Sequence, residues 1–226
     1  MDAGERRREC ADVTGVGRVQ TAPPRLRADA VRNRERIIAA ARETMVEFGA
    51  EAPFDEIARR AGVGNATLYR HFTDRRDLIH HVTLSVMSRI ADRAECALVE
   101  ESDAFEALRR FVHDAVEERI GALCPLLSDG VDPAHPDLLA ARERLDAAVA
   151  AVMGAARDSG QLRTDIAVGD LMVALTQLTR PLPGSGCMDF DRFVHRHLQL
   201  FLDGLQTPAR SELPGSAVTL EDLRRR

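Results

Sequence analysis

Apolar residues recur at three- and four-residue spacing along almost the whole chain, and this spacing limits the fold more than any other sequence feature. We find no run in which apolar and polar residues alternate, no hairpin turn signal and no internal repeat. The pattern therefore predicts an all-α protein. With 226 residues, of which 45% are hydrophobic and 30% charged, the chain is long enough to bury a core without disulfides or metals.

The spacing also predicts where the helices begin and end. They are expected from about Ala28 to Phe48, from near Pro53 to Gly62, from Asn65 to Phe72, from Asp74 to about Leu98, from an N-cap at Ser102 to Pro125, from the end of a loop at 128–136 to near Gly160, from Ile166 to Leu178, and from Phe190 to Leu205. Pro53 is expected at the first helical position of the second helix, where its missing N–H costs nothing. Gly62 is expected to adopt the left-handed conformation that ends this helix. Asp74 is expected to cap the fourth.

The last helix carries a broad apolar surface. One stripe contains Phe190, Val194, Leu198 and Phe201, and three further apolar residues, Phe193, Leu200 and Leu202, are expected off it. A face this wide indicates burial within the subunit together with burial against a partner subunit, although a merely central helix would also explain it.

Charge is unevenly distributed along the chain. All 31 basic residues are arginine and the net charge is −5, which by itself disfavours a nucleic-acid partner. Residues 1–80, however, contain 15 arginines against 13 acidic residues, whereas the remainder is strongly acidic. Any DNA-binding surface is therefore expected in the first third of the chain.

Several classes of protein are disfavoured. The Arg-rich N-terminus has no apolar segment of a signal peptide, and no apolar run is long enough to span a membrane, so a cytoplasmic protein is expected. The four cysteines form no CxxC pair, and His80-His81 and the pair His195 and His197 are poorly placed to share a metal. Neither a metal nor a cofactor is expected. No spacing suggests a catalytic set, so the sequence does not predict an enzyme.

Residues 57–72 have the layout of a helix-turn-helix. Ala58 allows two short helices to cross closely, and Leu68 and Phe72 are expected to hold the second helix to the core. The outer side of that helix would then present polar groups suited to bases and phosphates. They are Asn65, Ala66, Thr67, Arg70 and His71. An ordinary helical corner with a solvated polar face is the alternative.

The run from Asp55 to Phe72 joins Ile-Ala-x-x-Ala-Gly-Val to Thr-Leu-Tyr-x-His-Phe and is followed by Arg75 and Leu78. This run closely resembles the DNA-binding head of TetR-family transcriptional regulators. The resemblance implies an N-terminal three-helix DNA-binding head and a C-terminal helical ligand-binding and dimerisation domain. We place a flexible tail at 1–26, the head at 27–74, the second domain at 75–205 and a C-terminal tail at 206–226.

The resemblance also implies roles for individual residues. Asn65, Ala66 and Arg70 would contact base edges, and Thr67, Tyr69, His71 and Arg75 would contact phosphates. The Tyr69 ring is expected beside Phe72, unless this is simply a core tyrosine. Where the family usually has Ser or Thr at the start of the second helix, this chain has Ala52-Pro53, so that phosphate contact is expected to be missing.

Arginines near the start of the first helix are candidates to replace the missing phosphate contact. Arg32 is expected to do so, with Arg34 as a second candidate, although both could equally be solvated. Arg6-Arg7-Arg8 could enter a minor groove as an arm or remain a solvated tail.

For the second domain, the resemblance implies a homodimer formed through the last two helices and a palindromic double-stranded DNA operator. The expected function is a repressor released by a small-molecule effector, with an effector-independent regulator or an activator as alternatives. An apolar or aromatic effector is expected, because the candidate lining is mostly apolar. The candidate pocket-lining residues are Met87, Phe111, His113, Cys124, Met153, Met172, Thr176 and Gln177. Each of them could instead be an ordinary core or surface residue.

Overall fold

The computed structural model describes residues 24–118, 121, 123, 131–180, 191–219 and 221–224. In this part of the chain the regular elements are helices, as predicted, and one isolated bridge joins Leu162 to Gln206. The helices are α1 (Pro24–Phe48), α2 (Phe54–Ala61), α3 (Asn65–His71), α4 (Arg75–Glu100), α5 (Ala104–Glu117), α6 (Pro136–Asp158), α7 (Val168–Leu178) and α8 (Asp191–Leu205), followed by a 3₁₀ turn at Asp222–Arg224.

Helices α1, α2 and α3 pack together as the N-terminal head. Its core contains Ile37 of α1, Ile57 of α2 and Leu68 of α3, all fully buried. Gly62 ends α2 with φ 62°, the predicted left-handed conformation, and its N–H donates to the Arg59 carbonyl at 3.1 Å. The positive φ favours glycine here, whereas the nearby Arg36 guanidinium is the end of a flexible side chain that can move aside.

Some helix boundaries differ from those predicted. Helix α1 begins at Pro24 rather than at the predicted Ala28, because proline is favoured in the first turn of a helix. Pro53 precedes α2 as its N-cap instead of being its first helical residue. The N-cap of α5 is Asp103 rather than Ser102, since the Asp103 carboxylate accepts from the N–H groups of Phe105 and Glu106 at 3.0 and 2.9 Å.

Helix α4 belongs to both halves of the molecule. Asp74 caps it as predicted, accepting from the Asp77 N–H at 2.8 Å. The first turns of α4 bury Leu78 and Val82, and the helix packs on α1 as well as on α5 and α6. The head therefore continues into the C-terminal half through one unbroken helix.

The C-terminal half is built from α4 to α8, with α6 packed between α4, α5 and α7, and α8 packed on α5 and α7. In α8 the prediction for Leu202 is wrong. Leu198 and Leu202 are both fully buried, because residues four apart lie on the same helix face, while Phe193 and Leu200 are 47% and 59% exposed. Phe190 lies outside the described residues.

A buried carboxylate connects the head to the C-terminal half. Glu118, at the end of α5, accepts hydrogen bonds from Arg42 of α1 at 2.7 Å and from Arg89 of α4 at 2.5 and 2.9 Å. Arg93, one turn further along α4, lies 3.3 Å away. Three helices are thereby joined at one carboxylate.

Residues 206–219, predicted as part of a tail, fold back against the C-terminal half. The Val218 N–H donates to the Asp170 carboxylate at 3.1 Å, and a Cβ on Gly169 would collide with the Val218 carbonyl. Arg163, almost fully buried, donates to the Ser211 carbonyl at 2.9 Å and pairs with Asp165. These contacts hold the segment against the start of α7.

A search of the described helices found none that is both long enough and apolar enough to cross a membrane.

Candidate nucleic-acid interface

One face of α3 is exposed to solvent, and the opposite face is anchored in the core of the head. Leu68 is fully buried within the helix, and Phe72, which follows it as the C-cap, is fully buried as well. The backbone at Phe72 is extended, with φ −135° and ψ 114°, which turns this side chain into the head core. Asn65, Ala66, Tyr69 and Arg70 are exposed, and Thr67 and His71 are partly exposed.

The three predicted base-contacting residues lie together on this exposed face. Asn65 Nδ2 donates to the Asp55 carboxylate at 2.6 Å, at the start of α2. Arg70 lies back along α3, donating to Thr67 Oγ1 at 2.8 Å and to the Ala66 carbonyl at 3.2 Å. These are exposed local bonds of modest strength, so the side chains can exchange them for contacts to DNA. Their base contacts remain a prediction.

The Tyr69 side chain is 55% exposed, which excludes the alternative of a core tyrosine. Its aromatic neighbour is Phe54 of α2, with ring centroids 5.4 Å apart, rather than the predicted Phe72. The reason is the extended backbone of Phe72, whose ring instead faces Arg34 at 4.6 Å and His81 at 5.7 Å. Tyr69 thus bridges α3 and α2 through its ring.

Arg75, which is predicted to contact a phosphate, makes structural contacts within the protein. Its Nη1 donates to the carbonyls of Ala50 and Ala52 at 2.9 and 2.8 Å, and the guanidinium lies 5.1 Å over the Phe54 ring. It therefore holds the turn between α1 and α2 against the start of α4. Its predicted phosphate contact would have to use the guanidinium N–H groups that do not bond these two carbonyls.

The two arginines of α1 that are candidates for the missing phosphate contact lie in different environments. Arg32 is exposed and pairs with Asp29 on its own helix. Arg34 donates to the His71 carbonyl at 3.0 Å and stacks over Phe72, so it holds α1 to the end of α3. Pro53 makes no side-chain capping bond.

His71 has a depressed pKa. Burial lowers the pKa of this imidazole, and the nearby charges of Arg34 and Arg70 lower it further. The ring is therefore neutral at physiological pH and carries one N–H. This state fits a phosphate-donating role without a change of charge.

The basic residues of α2 are largely neutralised by acidic neighbours. Arg59 and Arg60 both bond the Glu56 carboxylate, and Arg60 also bonds Glu47 at 2.6 and 2.7 Å. The hydrogen bonds from Arg59 and Arg60 lower the pKa of Glu56 to about 2. The three- and four-residue spacing from Glu56 would have revealed two of these pairs in the sequence.

The candidate effector-pocket residues are distributed over several helices of the C-terminal half. Phe111 and Met153 are buried in the core, whereas Met87, His113, Met172 and Thr176 are partly buried. The Thr176 hydroxyl donates to the Met172 carbonyl, and His113 Nδ1 lies 2.9 Å from His195 Nδ1. Cys124 lies outside the described residues. Pocket lining by these residues remains a prediction.

Comparison with known proteins agrees with this architecture at both ends of the chain. Residues 37–82 match the family model of bacterial regulatory proteins of the tetR family. Residues 103–207 match the C-terminal domain of SbtR-like transcriptional regulators.

Two solved structures are similar over most of their length. The TetR transcriptional regulator SCO0520 from Streptomyces coelicolor is 32% identical, covering 78% of this chain and 99% of that one, with a TM-score of 0.59. The TetR transcription regulatory protein from Mycobacterium vanbaalenii is also 32% identical, covering 80% and 99% of the two chains, with a TM-score of 0.60.

The curated relatives match a short part of this chain. The HTH-type transcriptional regulator SAB2452 from Staphylococcus aureus is 43% identical over 58 residues, a match that spans 25% of this chain and 31% of that protein. The helix-turn-helix geometry, the match to the tetR family model and the two solved structures at 32% identity lead to one conclusion. The chain belongs to the TetR family of transcriptional regulators, which are DNA-binding proteins and not enzymes.

Proposed function

We propose that this protein is a homodimeric repressor that leaves a palindromic operator when a small molecule binds its C-terminal domain. The observation that carries the DNA-reading part is the exposed face of α3, on which Asn65, Ala66 and Arg70 stand together above buried Leu68 and Phe72. An amide, a methyl and a guanidinium are groups that distinguish base pairs in the major groove. The stable inner face keeps their positions relative to the head constant.

The proposed dimer forms through α7 and α8, which pack side by side. Val173 and Leu178 of α7 and Leu200 of α8 are large apolar residues that are at least 39% exposed in the single subunit. Burial of these side chains against a second copy removes apolar surface from water and favours association. A two-fold axis there would set the two α3 helices about 34–36 Å apart, one turn of DNA.

The proposed effector is apolar or aromatic, because the core candidates Phe111 and Met153 are apolar and lie on the helices that pack against α4. LfrR from Mycobacterium smegmatis, a TetR-like regulator of the same fold at 23% identity and a TM-score of 0.55, was crystallised with proflavine. An effector releases DNA only if it binds the DNA-incompetent arrangement more tightly than the competent one. Helix α4 is the element that would transmit that difference to the head.

The test starts with selection of genomic fragments by the full-length protein, followed by footprinting and fluorescence anisotropy on the enriched site. We expect a palindrome with half-sites one helical turn apart, and release of the DNA by at least one member of an aromatic and apolar metabolite panel. An asymmetric single site would contradict the dimeric mode. Binding that no panel member alters would favour the effector-independent alternative, and transcription that rises with occupancy would indicate an activator.

The dimer surface has its own test in sedimentation velocity. Leu200→Glu places a charge in the proposed interface and should yield monomers. Val99→Glu is the matched control, because Val99 is 77% exposed on α4 and lies outside the proposed surface. A Leu200→Glu protein that remains dimeric would place the interface elsewhere.

A further inference from the structure

Three metal-ligating side chains meet where α4 and α6 pack together. His80 lies in the second turn of α4, His135 is the N-cap of α6, and Asp137 is in the first turn of α6. One ligand atom from each lies within 4.8 Å of the other two, and the rings of His80 and His135 have centroids 4.4 Å apart. Both histidines are partly buried, whereas Asp137 is exposed.

From these positions we propose that His80, His135 and Asp137 bind a divalent transition-metal ion, with Zn²⁺ as the preferred occupant. Two imidazoles and one carboxylate are ligands that Zn²⁺ binds readily, while Mg²⁺ and Ca²⁺ prefer sites made wholly of oxygen. Three protein ligands leave the fourth tetrahedral position to water or another small ligand. The sequence predicted no metal because His80-His81 alone is poorly oriented, whereas the fold adds two ligands from 55 and 57 residues further along.

The side chains need only small movements to reach coordinating distance. Ligand atoms bound to one tetrahedral Zn²⁺ at about 2.0–2.1 Å lie about 3.3 Å from each other. The ligand atoms lie within 4.8 Å of one another, and the Asp137 carboxylate is exposed, so rotation of its side chain can bring an oxygen closer to the two imidazoles. His135 Nδ1 accepts from the Asp137 N–H at 3.2 Å, and the second ring nitrogen can serve the metal while this capping bond persists.

The proposed metal site lies close to the DNA-binding head. His80 stands between Leu78 and Val82, whose side chains are buried where α4 packs on the head. A metal held jointly by α4 and α6 would fasten the start of α6 to the part of α4 nearest the DNA-binding head. This inference depends on the fold alone and not on the proposed repressor mode or effector.

The test is a Zn²⁺ titration of full-length protein made without a histidine tag, in competition with a chromophoric chelator. We expect one Zn²⁺ per subunit, with affinity lowered at least about tenfold in His80→Gln, His135→Asn and Asp137→Asn. Asparagine is chosen at position 135 because it retains N-capping while it removes the imidazole. His197→Gln, which changes an exposed histidine of α8, is the control and should bind like the original protein.

Co²⁺ supplies a second readout, because tetrahedral coordination by nitrogen and oxygen gives visible absorption that the three variants should lose. Absence of stoichiometric Zn²⁺ binding would overturn the proposal. It would also be overturned if the three variants bound Zn²⁺ normally while His113→Gln, which disrupts the His113–His195 pair, abolished binding. Circular dichroism of each variant establishes that the protein is folded, so that lost binding reports on the ligands.

Discussion

The guanidinium of Arg89 donates two hydrogen bonds to the buried carboxylate of Glu118, at 2.5 and 2.9 Å. Arg42 of α1 bonds the same carboxylate, whose side chain is only 1% exposed. Because Arg42 belongs to the head, Arg89 to the shared helix and Glu118 to the end of α5, this cluster fixes the relative position of three helices. A charge buried in this way depends on all of its partners.

Glu118→Gln should lower the free energy of unfolding by about 2 kcal/mol, less than for a fully enclosed ion pair because Arg89 and Arg93 remain partly solvated. The substitution removes the charge but keeps the side-chain shape. Urea denaturation measures the effect. Glu117→Gln is the control, since this neighbour is 70% exposed and should change stability by less than about 0.5 kcal/mol. If the two substitutions change the free energy of unfolding equally, the cluster does not have the proposed structural role.

Acid should weaken the same cluster. Burial alone would raise the pKa of Glu118, but the hydrogen bond from Arg89 and the charges of Arg89, Arg42 and Arg93 outweigh it and hold the pKa below its usual 4.5. A carboxylate of this kind contributes stability that is fully present above the unfolded pKa and is lost as the pH falls through the folded one. Urea midpoints should therefore drop more steeply below pH 4.5 in the original protein than in Glu118→Gln. Parallel curves would contradict this.

Arg70→Ala should weaken operator binding by about 1–3 kcal/mol and relax the preference at one base position. The measurement is fluorescence anisotropy on the operator and on a panel with single base-pair changes. Because Arg70 is exposed, the unfolding midpoint should stay unchanged. A loss of equal size on every sequence would make Arg70 a phosphate contact only.

Tyr69→Phe should weaken binding by about 1 kcal/mol on all sequences alike, because the substitution removes only a hydroxyl suited to a phosphate. The ring contact with Phe54 is retained, so the stability of the head should not change. The slope of affinity against salt concentration should also stay the same, since no charge is removed. Unchanged affinity would leave the hydroxyl without this role.

Arg75→Gln should destabilise the free protein by about 2 kcal/mol, because its guanidinium bonds the carbonyls of Ala50 and Ala52. Thermal or urea unfolding without DNA isolates this structural contribution from any phosphate contact. Arg76→Gln, at the exposed neighbouring position, is the control and should leave stability nearly unchanged. If Arg75→Gln alters DNA affinity but not stability, the contact to the turn is energetically unimportant.

The features that the sequence predicted correctly are local ones. The left-handed Gly62 and the capping bond of Asp74 depend on residues within three or four positions, so their chemistry is readable along the chain. The errors at Ser102 and Pro53 amount to one residue each, because adjacent polar or cyclic residues can serve the same helix end.

The features that could not be predicted join residues far apart in the sequence. Glu118 meets Arg42 across 76 residues, and His80 meets His135 only because α6 packs along α4. Leu202 was misplaced because a wide apolar face does not reveal which side meets the subunit's own core and which remains exposed. Such pairings depend on how helices pack, which apolar spacing leaves open.

The continuity of α4 has a mechanical consequence. Its 26 residues form a rod about 39 Å long. Tilting such a rod by about 5° about one end displaces the other by about 3.4 Å, which equals the rise between neighbouring base pairs along one strand of DNA. Under the proposed effector-release mechanism, a tilt of α4 of this size would displace the head by about one base step, and α4 itself would not have to unfold.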